Sequence, residues 1–158
     1  MYLIYTSIWI GSLRDNQDEA VARSVEMLDL GPPFGMTVVV YGEVLQGAEP
    51  SNDFEQLEEY LWTRRFRSPA GPLAGYEEAA RIYLRCGRGG VAVRGTIDDL
   101  IPRVAVEHDL PLLHDDGDSA NKGRVIPGLT LARGGPGPRL TARCSRLRIV
   151  GSAYSEGE

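Results

Sequence analysis

The chain has 158 residues and 42% hydrophobic content, which suits one globular domain with a core and excludes a disordered chain. It holds no apolar run near the roughly 20 residues a membrane helix needs and no leader with a basic start and a cleavage pattern, so a cytoplasmic protein without membrane contact is expected. The net charge is −5, whereas nucleic-acid binders are more often basic overall; an acidic body suits a cation site or a basic partner.

The two cysteines, Cys86 and Cys144, are far apart and match no metal spacing, which fits a reducing compartment. Charge is uneven. The end of the chain carries Arg133, Arg139, Arg143, Arg146 and Arg148 against Glu156 and Glu158. The rest is correspondingly more acidic than the whole.

In chain order, Tyr2–Tyr5 reads as a short buried strand, and Thr6 or Ser7 can cap a short helix over Ile8–Leu13. Ala20, Val21, Val25 and Leu28 share one face of a helix from Asn16 to Leu30, stopped by Gly31-Pro32-Pro33. The β-branched run from Thr37 to Val40 predicts a second strand, followed by a helical turn over 41–47. Ser51 or Asn52 caps a helix with Phe54, Leu57, Tyr60 and Leu61 on its apolar face. A loop with Pro69, Gly71 and Pro72 comes next.

Ala74–Cys86 predicts a helix with Ala79, Ala80, Ile82 and Tyr83 toward the core. Val91–Val93 predicts a third strand, and Thr96 caps a helix running to His108. Leu110–Leu113 predicts a fourth strand, Ser119–Gly123 a short polar helix, and Val125–Leu131 a fifth strand. Apolar strands without alternation, separated by helices, predict a parallel sheet covered on both faces. Ligands in such sheets bind beyond the carboxyl ends of the strands, where strand order switches.

Acids follow three of the predicted strands: Glu43 in YGEVLQG, Asp98 and Asp99 in RGTIDDLI, and Asp115, Asp116 and Asp118 in LLHDDGD. Carboxylates gathered at one sheet edge repel unless a cation sits there. Oxygen ligands favour Mg²⁺ or Mn²⁺ over zinc, and such an ion suits phosphodiester hydrolysis. Structural readings stand beside this one. Asp98 and Asp99 are also placed to favour a helix dipole after the Thr96 cap, and Asp115–Asp118 also reads as a polar turn. Arg81, Arg85, Arg88 and Arg94 suit RNA phosphates or a solvated helix face. His108 suits the end of a helix.

The segments YTSIWI, VVYGEVLQGA, YLRCGRGGVAVRGTIDDLI and EHDLPLLHDDGD resemble the PIN-domain family, and within it the VapC toxins of toxin–antitoxin systems. The resemblance covers residues 1–131 and leaves 132–158 as a flexible tail. It implies a three-layer α/β/α sandwich with a parallel five-stranded sheet. It further implies a Mg²⁺- or Mn²⁺-dependent ribonuclease that dimerises and is silenced by a cognate antitoxin. By position, Glu43, Asp98 and Asp116 match the family's second, third and fourth acids and would hold the metal. Asp118 matches an auxiliary acid, and Thr6 and Ser7 match a supporting hydroxyl pair.

Three positions depart from the family pattern. Tyr5 stands where the first acid belongs, and a phenol with a pKa of about 10 is a poor ligand for a hard dication. Pro102, inside the helix expected from Thr96, is expected to kink it at Asp98. Ser119 replaces a phenylalanine and removes an apolar anchor. Two readings result: a metal-dependent ribonuclease toxin, and a degenerate PIN domain that binds an antitoxin or RNA without cutting.

Overall fold

A computed structural model of the chain describes residues 1–13, 33–47, 53–115 and 117–133. The strand β1 (Tyr2–Ile4) leads through Tyr5 into α1 (Thr6–Leu13). The fully buried β2 (Phe34–Thr37) runs directly into α2 (Val38–Gln46). Next come α3 (Asp53–Trp62), β3 (Arg65–Arg67) and the long α4 (Pro72–Arg88). The order closes with α5 (Leu100–Glu107), β4 (Leu112–His114), α6 (Gly117–Val125) and β5 (Leu131–Arg133).

The five strands form one parallel sheet in the order β3-β2-β1-β4-β5. Leu3 on the central β1 pairs with Gly35 on one side and Leu112 on the other. The core gathers Leu3, Ile4, Ile8, Trp9, Met36, Val40, Leu57, Leu61, Ile101 and Leu113 around that strand. Each such side chain, fully buried, contributes about 1.5–3 kcal/mol. Helices cover the sheet as in an α/β/α sandwich, with α4 packed on α5 and α6. Among the described residues no helix is long and apolar enough to cross a membrane.

Several boundaries differ from the sequence reading. The strand predicted over 37–40 starts three residues earlier, at Phe34, because the Thr37 hydroxyl accepts the Val40 amide at 3.2 Å and caps a helix there. Capping and burial of Val40 and Val44 override the β-preference of the valine run. Val91–Val93 is not a strand. The Val91 amide closes the end of α4 on the Cys86 carbonyl at 2.9 Å, and both valines pack on Ile82, Cys86 and Ile126. The third strand is instead Arg65–Arg67, an edge strand too short to show a period, and the fifth is Leu131–Arg133.

The helix expected from Thr96 begins at Leu100, after a turn in which the Asp99 and Leu100 amides reach the carbonyls of Thr96 and Ile97. Pro102 therefore sits in the first helical turn, where the missing N–H has no intrahelical partner to lose. The expected kink at Asp98 does not arise. In α4 the core face is Gly75, Ala79, Ile82 and Cys86, while Ala80 and Tyr83 are exposed. His108 does end its helix, as the cap residue of α5. The expected helix over Asn16–Leu30, the Ser51 or Asn52 cap, Cys144 and the tail beyond Arg133 lie outside the described residues.

Candidate functional site

From β1 the chain continues to β2 and β3 on one side of the sheet, while β4 and β5 lie on the other. Strand order thus switches between β1 and β4, and a crevice opens at their carboxyl ends. The Tyr5 amide donates to the Leu113 carbonyl at 2.9 Å, and the Asp115 amide to Ser7 Oγ at 3.3 Å. These bonds tie the start of α1 to the end of β4. Ser7, expected to support a metal ligand, braces this backbone junction.

Glu43 projects from the middle of α2 and is half-buried. The Thr6 hydroxyl donates a hydrogen bond to Glu43 Oε2. Burial pushes the Glu43 carboxyl above the ordinary glutamate range, and the Asp98 charge pushes it further. The Thr6 bond and the charges of Arg94 and Lys122 offset only part of this.

Asp98 occupies the turn before α5. Its Oδ1 accepts the Tyr5 hydroxyl at 2.7 Å, and its Oδ2 lies 3.2 Å from Lys122 Nζ. Asp99 is the residue that caps α5, yet its side chain makes no capping bond. It turns inward, is 0% exposed, and meets Lys122 Nζ through Oδ1 as an ion pair at 2.9 Å. Its Oδ2 has no hydrogen-bond partner among the described residues. Burial raises the Asp99 pKa, with Lys122 opposing and Asp98 reinforcing the rise. The dipole role open to both acids in the sequence is therefore not the one they take.

Lys122, on α6, is 3% exposed. Burial lowers its pKa, but Asp98 and Asp99 outweigh that and hold the ammonium above the ordinary lysine value. Its Nζ also sits 5.9 Å from the Tyr5 ring centroid. Cys86 lies beneath, wholly buried; burial raises its thiol pKa, and the Asp99 charge adds to that.

The fold brings Tyr5, Thr6, Glu43 and Asp98 together. Asp116 lies outside the described residues, as does the side chain of Asp118. Arg81, Arg85 and Arg88 are exposed along α4, with Arg81 ion-paired to Glu78, and the charge of Arg94 acts on Glu43. Ser119 is buried in α6.

Sequence reasoning missed Lys122 and the inward turn of Asp99. The available signal was spacing: Ser119, Lys122 and Ile126 fall at i, i+3 and i+7 and all are buried, so the lysine occupies an inward helical position.

The described donors do not fit a hard divalent ion. Both oxygens of Asp98 already face hydrogen-bond donors, and Asp99 is tied to a cation. Tyr5 offers a neutral phenol.

No family model matches the sequence. The three-dimensional structure is similar to chains of toxin–antitoxin crystal structures. VapBC2 from Rickettsia felis, bound to a DNA fragment from its promoter, aligns with a TM-score of 0.58 and 19% identity, over 83% of this chain and 96% of that one. FitAcB from Neisseria gonorrhoeae aligns at 0.59 and 18%, over 83% and 96%. VapBC-5 from Mycobacterium tuberculosis aligns at 0.56 and 24%, over 84% and 97%. The chain has the PIN-like α/β/α fold of these structures.

Proposed function

We propose that the chain is a PIN-like partner of an antitoxin, without a metal-dependent ribonuclease centre. The observation that carries this reading is the Tyr5 hydroxyl on Asp98 Oδ1. In the family the chain resembles, an acid at the Tyr5 position would face that carboxylate across a metal ion. Here a neutral donor satisfies it directly.

The partner is a basic protein segment. The net charge of −5 supports this, as does α3, where Glu55, Glu58 and Glu59 line a groove beside Trp62, which is 71% exposed. Such a surface attracts lysine and arginine, and arginine also stacks on tryptophan. Binding to a basic antitoxin segment should weaken as salt rises.

The decisive experiment is RNA cleavage by the chain as given, in Mn²⁺ and in chelator, beside Asp98→Asn. Parent and variant should show the same background in both conditions. Cleavage by the parent that disappears with chelator and with Asp98→Asn would restore the ribonuclease toxin, with Glu43, Asp98, Asp116 and Asp118 in its site.

A further inference from the structure

Asp98 and Asp99 are consecutive carboxylates in the same crevice, and one of them has no exposure to water. Buried carboxylates held this close repel strongly and persist only beside a cation. Both lie within ion-pair distance of Lys122 Nζ, at 3.2 and 2.9 Å.

The lysine's position on its own element makes the same point. Lys122 lies on the buried side of α6 with Ser119, in line with Ile126 just beyond the helix, and its side chain is 3% exposed. A long cationic side chain ordinarily carries its head out to water. Here the head stays inside, where its two carboxylate partners offset the loss of hydration.

We infer that the Lys122 ammonium is the resident cation of this crevice, supplying from within the chain the positive charge that a divalent ion would bring. The inference rests on the reading that the chain has no metal-dependent centre, and it explains how the acids remain in place. Asp98 accepts from Tyr5 on one oxygen and faces Lys122 with the other. A dication drawn to Asp98 would have to displace both donors. It would also meet the ammonium at short range, and like charge opposes its entry.

Two measurements test this without reference to activity. The first titrates Mn²⁺ into the chain as given and into Asp98→Asn, following the free ion by electron paramagnetic resonance. The two proteins should leave the same free signal. Uptake of one ion by the parent that Asp98→Asn abolishes would overturn the proposal, and it needs no variant of Lys122 to fold.

The second measures melting of Lys122→Met in chelator and in Mn²⁺. The variant should melt roughly 10 °C below the parent in chelator and recover part of that loss in Mn²⁺, while the parent melts alike in both. A variant that melts with the parent would overturn the proposal, since the acids would then need no cation.

The two readings fail separately. Failure of the chain to bind a basic peptide, with no uptake of Mn²⁺, would remove the partner-binding reading and leave Lys122 as the resident cation. Mn²⁺ uptake through Asp98 without cleavage would remove the lysine's role and leave the partner-binding reading standing.

Discussion

The two sides of the crevice hold their acids differently. On the α2 side one half-buried carboxylate, Glu43, is met by the neutral hydroxyl of Thr6, and burial pushes its pKa up. On the α5 side two carboxylates, Asp98 and Asp99, are met by the ammonium of Lys122 and, for Asp98, by the Tyr5 hydroxyl. A hydroxyl satisfies a lone pair but brings no charge, so it leaves the cost of an ionised buried carboxyl largely in place. An ammonium offsets charge as well, and its removal leaves the buried Asp99 and the partly exposed Asp98 uncompensated. The α5 side should therefore be the more sensitive to substitution and the α2 side the more sensitive to pH.

The largest effect should come from breaking the ion pair at one end and then at both. Removing one partner of a buried pair costs about 3–5 kcal/mol, so Lys122→Met should lose that much in urea denaturation. Asp99→Asn combined with Lys122→Met should lose less than the two single losses added together. A coupling of about 1–3 kcal/mol is typical of residues in contact. Strict additivity would mean that Lys122 matters through its packing, not its charge.

Tyr5→Phe probes the neutral donor on the same side. It removes one hydroxyl and keeps the ring near Lys122, so the ion pairs remain. A hydrogen bond to a charged group is worth about 1.5–3 kcal/mol, and Asp98 is 16% exposed, which lets water replace part of it. A loss near the lower end of that range is expected in the same urea assay. No loss at all would show that Tyr5 fills space beside Asp98 without holding it.

This asymmetry was only half legible in the sequence. Glu43 and Asp98 stood out because acids after apolar runs are conspicuous, and their convergence was foreseen from the parallel topology. The strand boundaries were less secure. The valine run after Thr37 reads as a strand until the Thr37 hydroxyl is seen to cap a helix. Val91–Val93 reads as a strand until its first amide is seen to close α4. Lys122 was the hardest to see, for GDSANKGRV is polar enough to pass for a solvated helix. Its inward position is fixed by tertiary packing: α6 lies so close to β5 that a Cβ on Gly123 would come within 2.5 Å of Leu131. Asp99 was hidden by its neighbour, since either of two adjacent acids at a helix start can serve the dipole.

The smallest effect, and the one that isolates the α2 side, is expected from Glu43→Gln followed against pH. The Glu43 pKa is raised in the fold, mainly by burial. A raised carboxyl pKa means that folding favours the protonated form. Its stabilising contribution is complete below the ordinary glutamate value, about pH 4. That contribution is lost as pH rises through the folded-state value. Glutamine carries no charge at any pH and keeps an oxygen to accept from Thr6. The variant should therefore melt with the parent in acid and above it near neutrality, with the gap opening as the parent's carboxyl ionises. Asp98 lies on the other side and is paired with Lys122, so Asp98→Asn should show no such gain near neutrality. Were the Glu43→Gln gap constant across the range, the Glu43 carboxyl would titrate alike in the folded and unfolded chain, and the contrast between the two sides would reduce to the ion pair alone.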